Sequence, residues 1–114
     1  HLAAAGGIRE AVAAARRGAP NLLKIEVEAE TLDQLRECLS LPEVDGVLLD
    51  NMGLEQLREA VALRNASGRA LFLEASGNLS LDRARAVAET GVDFLSVGAL
   101  THSAPAVDLS LRMN

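Results

Sequence analysis

The sequence is poor in aromatic residues, lysine and cysteine, and these scarcities limit what it can build. It has two phenylalanines, no tryptophan and no tyrosine, while 49% of its 114 residues are hydrophobic. The core must therefore be made of alanine, leucine, valine and isoleucine, a palette that suits alanine-rich helices packed on aliphatic strands. The length allows one domain at most.

Charge and cysteine content exclude several classes of function. The net charge is −5 and no basic run occurs, so nucleic-acid binding is not expected. Cys38 is the only cysteine, which rules out an internal disulfide framework and suits a reducing cytosol. No stretch is apolar enough to span a bilayer and no signal peptide is apparent, so we expect a cytoplasmic protein with no membrane contact. The start at His1 suggests a piece of a longer polypeptide.

The hydrophobic pattern alternates between the helix period and the strand period. Helices are predicted over residues 8–17, 32–40, 54–63 and from 81 to near 91, and strands over 22–28, 47–50, 70–75 and 94–97. Thr31 with Gln34 forms a capping-box pattern, Ser80 is a predicted N-cap, and Gly91 is a predicted C′ glycine. Short connections between alternating elements favour parallel strands with helical crossovers.

Alternate residues of the predicted strands differ in polarity. One face is aliphatic, and the other carries polar groups at Glu26, Glu28, Asp50, Glu74, Ser76 and Ser96. An open sheet with helices on both faces would need two apolar faces. The sequence therefore predicts an α/β fold with parallel strands and outer helices, as part of an open βα (TIM-like) barrel with a ligand site inside.

Two acidic residues stand where predicted strands end. Glu28 and Asp50 would be neighbours at the carboxyl edge of the sheet, where βα barrels place their active sites. Such a pair can bind Mg²⁺, hold sugar hydroxyls or stabilise a developing positive charge. The same pattern also fits two solvated acids at a rim.

The ends of the last two strands predict a phosphate site. Ser76-Gly77-Asn78 follows one strand and Gly98 follows the other. Glycine turns and helix N-termini bind phosphate, and barrels often hold it between these two loops. The alternative is ordinary turn chemistry. His102 lies in the second loop, where it could donate to a phosphate or be merely solvated.

The remaining inward-facing groups have a structural interpretation. Glu26 and Glu74 would lie deeper in the barrel, with Lys24 on the same side and able to neutralise one of them. Lys24, the only lysine, stands at the start of its strand, which is the wrong end for a Schiff base and disfavours an aldolase mechanism. Cys38 lies beside leucines on a helix and is assigned to the core.

At these same residues the chain resembles the quinolinate phosphoribosyltransferase family, over essentially its whole length and in the right order. The strings that carry the resemblance are residues 1–8 (HLAAAGGI), 25–28 (IEVE), 48–52 (LLDNM), 73–77 (LEASG), 96–105 (SVGALTHSAP) and 108–111 (DLSL). Together these strings are highly specific, although each alone is weak. One departure is Asn78, where the family commonly has glycine.

The resemblance implies transfer of a phosphoribosyl group from phosphoribosyl diphosphate to quinolinate, with loss of CO₂, in NAD biosynthesis. It implies Mg²⁺ as cofactor and a homodimer or higher oligomer with a shared active site. Residues 1–114 would be the C-terminal half of the catalytic barrel, with the N-terminal domain and the first part of the barrel absent. Glu28 and Asp50 match the catalytic acids and possible Mg²⁺ ligands.

The remaining family matches lie on the substrate and phosphate side, at Ser76, Gly77, Gly98, His102 and His1. The family's basic residues for quinolinate and diphosphate would lie upstream. An acidic half-site cannot bind two polyanions unaided, and the net charge of −5 agrees with that expectation.

Two other functions fit the same residues. One is a related barrel enzyme with another acceptor, such as the molybdenum-transport-associated pyrophosphorylase-like proteins. The other is a noncatalytic half-barrel that only binds phosphate or assembles with partners. The basic residues expected upstream would distinguish the first alternative from a quinolinate phosphoribosyltransferase, because quinolinate has two carboxylates and each needs a basic partner.

Overall fold

A computed structural model describes residues 7–18, 24–77 and 80–97. Within these ranges helices and strands alternate strictly. The elements are α1 Ile8–Gly18, β1 Glu26–Ala29, α2 Leu32–Leu39, β2 Gly46–Asp50, α3 Leu54–Ser67, β3 Phe72–Gly77, α4 Leu81–Ala88 and β4 Phe94–Val97. None of the helices in the described ranges has the length and apolar character needed to cross a membrane.

The four described strands form one parallel sheet in the order β1-β2-β3-β4. A doubly wound sheet reverses its strand order at a switch point, and no reversal occurs among these strands. Sequential order is what consecutive βα units of a barrel produce. The predicted α/β class with parallel strands is therefore confirmed.

The aliphatic face of the sheet packs against a single layer of helices. In that layer α2 lies beside both α1 and α3, and α3 lies beside α4. The fully buried side chains between the layers come from both, and include Ile25, Val27, Val47, Leu49, Leu73, Leu35, Leu57 and Val87. Each such side chain contributes roughly 1.5–3 kcal/mol relative to an exposed one. This core holds the helices on one side and leaves the polar face of the sheet on the other.

The predicted N-terminal caps of two helices are present. Thr31 Oγ1 accepts from the Gln34 backbone N–H at 3.1 Å, and Gln34 Oε1 accepts from the Thr31 backbone N–H at 3.2 Å. Ser80 Oγ accepts from the Arg83 backbone N–H at 3.2 Å. Each cap satisfies backbone donors that would otherwise lack a helical partner.

The predicted C-terminal ends of two helices were wrong by about one turn. The helix predicted to end at Leu63 continues to Ser67, where Gly68 adopts a left-handed conformation with φ 76°. The helix predicted to run to near Gly91 ends at Ala88. Gly91 does have a positive φ of 101°, but it lies three residues beyond the helix.

The boundaries of two strands also differ from prediction. β3 was predicted over 70–75 but runs from Phe72 to Gly77, because Gly77 pairs in register with Val97 of β4. β1 was predicted from Leu22, which lies outside the described residues, and begins at Glu26. Ile25 is not part of the strand because its backbone bonds to the loop before β2.

Two aspartates fasten the N-terminal edge of the sheet in the same way. Asp45 Oδ2 accepts from the Ile25 backbone N–H at 2.8 Å, and the Asp45 N–H donates to the Ile25 carbonyl at 2.9 Å. Asp93 repeats both bonds with Leu73, each at 2.9 Å. We call these two reciprocal pairs the aspartate locks. They join β1 to β2 and β3 to β4 at the N-terminal ends of these strands.

Two arginines on or after α3 reinforce the same edge. Arg64 donates to Asp93 Oδ2 and to the Leu71 carbonyl, both at 2.8 Å. Arg69 donates to the carbonyls of Leu39 at 2.7 Å and Val44 at 2.8 Å, which brings the end of α2 against the start of β3. The N-terminal edge is therefore held by side chains that bond to backbone groups far away in sequence.

Candidate active site

The carboxyl ends of the four strands lie along one edge of the sheet, opposite the aspartate locks. Across that edge Asp50 pairs in register with Ser76, and Ser76 pairs with Ser96. Register partners on parallel strands have side chains on the same face. Three polar residues from β2, β3 and β4 thus form one row on the face turned away from the helices.

Asp50 is held within that row by β3. The Ser76 hydroxyl donates to Asp50 Oδ1 at 3.3 Å, and the backbone N–H of Asn51 donates to the Ser76 carbonyl at 3.2 Å. Asn51 has φ 57°, a left-handed conformation that asparagine tolerates better than most residues. The chain therefore turns out of the sheet directly after Asp50 and leaves its half-buried carboxylate at the rim.

Glu28 faces the same side from the neighbouring strand. It pairs in register with Leu48, two residues before Asp50, and its side chain is half-buried. Adjacent strands about 4.8 Å apart, with a rise of about 3.3 Å per residue, separate the Cα atoms of the two acids by roughly 8 Å. At that separation both carboxylates can reach one ligand placed over Leu48.

A second polar layer lies beneath the rim. Glu74 pairs in register with Leu48 and Phe94, and the Ser96 hydroxyl donates to its carboxylate at 2.7 Å. Glu74 is 9% exposed, and Glu26 on β1 is 3% exposed. The sequence placed both acids deep on the inner face, and the structure confirms that placement.

Lys24 lies at the opposite end of this face from the rim. Its ammonium stands 5.4 Å from the centroid of the Phe72 ring, within the range of a cation–π interaction. Lys24 precedes β1, at the N-terminal edge of the sheet. This position is remote from the row of polar residues at the carboxyl edge and agrees with the argument against a Schiff-base lysine.

Of the six residues predicted to bind substrate or phosphate, two lie in β3 and four lie outside the described residues. Ser76 and Gly77 were assigned to a turn, but both belong to β3, because β4 extends the pairing as far as Gly77. The four others lie outside the described residues: Asn78, Gly98, His102 and His1. The phosphate-binding roles of all six stay predictions.

The carboxylates at the rim fit Mg²⁺ by their chemistry. Mg²⁺ prefers oxygen ligands and usually binds one or two carboxylates together with substrate phosphates. Among residues 7–18, 24–77 and 80–97, no group of three or more His, Cys, Asp or Glu side chains could hold a metal ion. Two carboxylates such as Glu28 and Asp50 suit a metal that is also bound by a phosphorylated ligand.

Sequence reasoning missed the contacts that organise this rim. It placed Glu74 and Ser96 on the same face but did not foresee their hydrogen bond, which joins residues 22 apart in sequence. It also missed that Ser76 supports Asp50. The signal that could have been used is the alternation of side chains along each strand. All four side chains fall on inward-facing positions, so their contacts could have been inferred once the register of the sheet was known.

Comparison with known proteins gives one consistent family. Residues 1–112 match the family described as quinolinate phosphoribosyl transferase, C-terminal domain. Nicotinate-nucleotide pyrophosphorylase [carboxylating] of Mycobacterium leprae is 44% identical over 113 residues, which are 99% of this chain and 39% of that protein. The human protein of the same name is 38% identical over 99% of this chain and 38% of its own length.

Solved structures agree with this similarity. The nicotinate-nucleotide pyrophosphorylase of Ehrlichia chaffeensis matches with a TM-score of 0.75 at 36% identity, over 86% of this chain and 34% of that one. The likeness supports the predicted class of an open βα barrel portion. The chain spans about two fifths of the length of the curated relatives that it matches.

Proposed function

Because the chain belongs to the quinolinate phosphoribosyl transferase family, we propose that it supplies part of the active site for phosphoribosyl transfer to quinolinate. The reaction joins quinolinate to the ribose of phosphoribosyl diphosphate. It releases diphosphate and CO₂ and leaves nicotinate mononucleotide, a step of NAD biosynthesis. The relatives are named for this product, which is the link from the family to the substrate pair.

Glu28 and Asp50 are proposed to act on the ribose. The bond from ribose C1 to the diphosphate oxygen breaks while a bond forms from C1 to the quinolinate ring nitrogen. Positive charge develops on the ribose as the leaving group departs, and the two carboxylates, which lie on one face of the sheet, stabilise it through their negative charge. Their oxygens also accept hydrogen bonds from the ribose hydroxyls and so orient the sugar.

Mg²⁺, when bound, would neutralise charge that builds on the departing diphosphate. Glu28 and Asp50 are the residues proposed to hold it, together with phosphate oxygens. Ser76, Gly77, Asn78, Gly98 and His102 are proposed to bind the 5′-phosphate side, and His1 to bind substrate. The Ser76 hydroxyl has one proton, so while that proton is donated to Asp50, a phosphate must bind through other donors of this set.

One observation carries the proposal. Asp50, Ser76 and Ser96 form a single row across three strands, and Glu28 faces the same side from the fourth. Parallel strands bring these side chains, which are far apart in sequence, to the edge where βα barrels bind their substrates. Separate solvated acids would not need the Ser76 hydroxyl on Asp50.

The rest of the protein is proposed to supply the basic groups. Both substrates are polyanions, and a chain with net charge −5 cannot attract them unaided. We propose that residues 1–114 form the C-terminal half of the catalytic barrel domain and act in a homodimer or higher oligomer with a shared active site. A cytoplasmic location is proposed because quinolinate and phosphoribosyl diphosphate are soluble metabolites and a single cysteine, Cys38, can form no internal disulfide.

The test is to incubate the full-length protein with quinolinate, phosphoribosyl diphosphate and Mg²⁺. Nicotinate mononucleotide and CO₂ should appear in equal amounts, and a chelator should stop their formation. Glu28→Gln should lower kcat by about 10²–10³. The matched control Glu43→Gln, an exposed acid in the turn before β2, should not.

Three results would count against parts of the proposal. If the wild-type protein formed no nicotinate mononucleotide, the assignment to quinolinate would be lost. Release of diphosphate with another acceptor, but not with quinolinate, would point to the relative with a different base. Equal rates for wild type and Glu28→Gln would remove the role given to that carboxylate.

A further inference from the structure

We propose that Glu74 is a positioning residue that fixes the phosphate-binding side of the site relative to Asp50, through its hydrogen bond with Ser96. The inference rests on the proposed function, because it assigns a role within that reaction. Glu74 lies on the face that bears Asp50, two residues before Ser76 on the same strand. It therefore belongs to the layer directly beneath the rim rather than to the substrate surface.

The burial of Glu74 indicates that its carboxylate has a specific role. Glu74 is 9% exposed and pairs in register with the aliphatic Leu48. A buried carboxylate is costly unless hydrogen bonds compensate it, whereas an aliphatic side chain would fill the same volume without that cost. The Ser96 hydroxyl stands 2.7 Å from Glu74 Oε2, the distance of a strong charge-assisted bond. The contact is therefore specific and not incidental packing.

Together with the bond between Ser76 and Asp50, this bond links three strands. Ser96 is the register partner of Ser76, and the Ser76 hydroxyl donates to Asp50 on the next strand. One hydrogen bond thus ties β4 to β3, and the other ties β3 to β2, at successive levels of the same face. Ser96 also stands two residues before Gly98 in the sequence, so the first bond holds the end of β4 after which the phosphate-binding loop is predicted.

The two substrates should respond differently when this tie is lost. Phosphoribosyl diphosphate is proposed to contact both the carboxylates and the phosphate side, so it depends on their relative placement. Quinolinate is proposed to be held by basic groups outside this chain. Glu74→Leu should therefore raise KM for phosphoribosyl diphosphate about ten-fold and leave KM for quinolinate within about two-fold.

Conservative and partner variants make the test specific. Glu74→Gln keeps an oxygen that accepts from Ser96 and should return KM to within about two-fold of wild type. Ser96→Ala removes the donor and should raise the same KM. The double variant Glu74→Leu, Ser96→Ala should show no larger effect than the stronger single variant, because Glu74→Leu already breaks the bond that Ser96→Ala removes.

A control at the other end of the same strands separates positioning from stability. Asp93→Ala removes the aspartate lock between β3 and β4, so it should lower Tm without changing KM for phosphoribosyl diphosphate. All kinetics are measured in the full-length protein, well below the Tm of each variant. If Glu74→Leu fails to fold, Ser96→Ala and Glu74→Gln carry the test.

The failures of the two proposals are distinguishable. An unchanged KM in Ser96→Ala and Glu74→Leu, with an active wild type, would overturn the role of Glu74 and leave the proposed function standing. A similar rise of KM in Asp93→Ala would also overturn it, since any loosening of the strand pair would then suffice. A wild-type protein that forms no nicotinate mononucleotide would reject the proposed function instead.

Discussion

The ring of Phe72 lies directly over Gly46, its register partner on β2, in the space that a Cβ atom would occupy. The same ring packs edge-on against Phe94, with centroids 5.4 Å apart and planes at 85°. Edge-to-face geometry is favourable for aromatic pairs and adds to the area they bury. The only two aromatic residues of the chain are thus accommodated on the inner face because β2 begins with glycine.

Replacing that glycine should weaken the fold. Gly46→Ala would place a methyl group inside the Phe72 ring, so the ring must move away from Phe94 as well. We expect a loss of about 1–3 kcal/mol in the free energy of unfolding, measured with urea. Gly18→Ala is the control, because nothing lies within 4 Å of its added Cβ. Equal losses in both variants would show that the contact with Phe72 is unimportant.

Replacing Asp50 should affect the reaction rather than the fold. Asp50→Asn keeps the shape and can still accept from the Ser76 hydroxyl, but it lacks the negative charge proposed to stabilise the ribose. We expect kcat for nicotinate mononucleotide formation to fall by about 10²–10³, with Tm nearly unchanged. Glu30→Gln, an exposed acid just beyond β1, is the control. A kcat close to wild type would exclude Asp50 from the charge-stabilising role.

Asp93 should make stability depend on acid pH. Burial by itself would raise the pKa of Asp93, but hydrogen bonds from Arg64 and the Leu73 N–H, with the charge of Arg64, lower it below the usual 3.8. A carboxyl whose pKa is lower in the folded state stabilises that state above its unfolded pKa. The stabilisation by ionised Asp93 is therefore present at neutral pH. It is lost as the pH falls from about 3.8, the unfolded pKa, through the lower pKa of the folded state.

The measurement is unfolding at a series of pH values between neutral and about 3. Asp93→Asn should lose stability at neutral pH and lose the corresponding part of the acid-induced decline. Asp33→Asn is the control, because its carboxylate is 91% exposed and its ion pair is with Arg36 of the same helix. If Asp93→Asn kept the acid-induced decline of the wild type, ionised Asp93 would not contribute to it.

Cys38 should be unreactive in the native protein. Burial, followed by the negative charge of Glu37, raises the pKa of the thiol from 9.0 to about 12. The thiolate is the reactive form, so little of it exists at pH 8, and the side chain is fully buried. Iodoacetamide should label this residue only in denaturant, as measured by peptide mass spectrometry. Labelling of the folded protein at the rate of a free thiol would show that the core around Cys38 opens to solvent.

The sequence predicted best what depends on neighbouring residues. The Thr31 capping box follows from a spacing of three residues, and both of its hydrogen bonds are present. The strand β4 was predicted to begin at Phe94, as it does, because turn residues stand before it. The division into an aliphatic and a polar face follows from alternation alone and was also right.

Contacts between distant residues could not be predicted from the sequence. Arg64 is a helix residue by its local pattern, yet it donates to Asp93, 29 residues further on. Ser76 was assigned to a turn because serine and glycine favour turns, but pairing with β4 overrides that preference. The candidate site was therefore identified by its residues, while the hydrogen bonds that arrange them required the register of the sheet.

The aspartate locks have a practical consequence for engineering. They brace one rim of the sheet, while Asp50, Ser76 and Ser96 occupy the other. The bonds that stabilise the sheet and the residues proposed to act in the reaction thus lie at opposite ends of the same strands. A designer who wants a heat-tolerant variant can substitute residues around Ile25, Leu73 and their aspartates without changing the residues proposed to bind the sugar, so turnover should be retained.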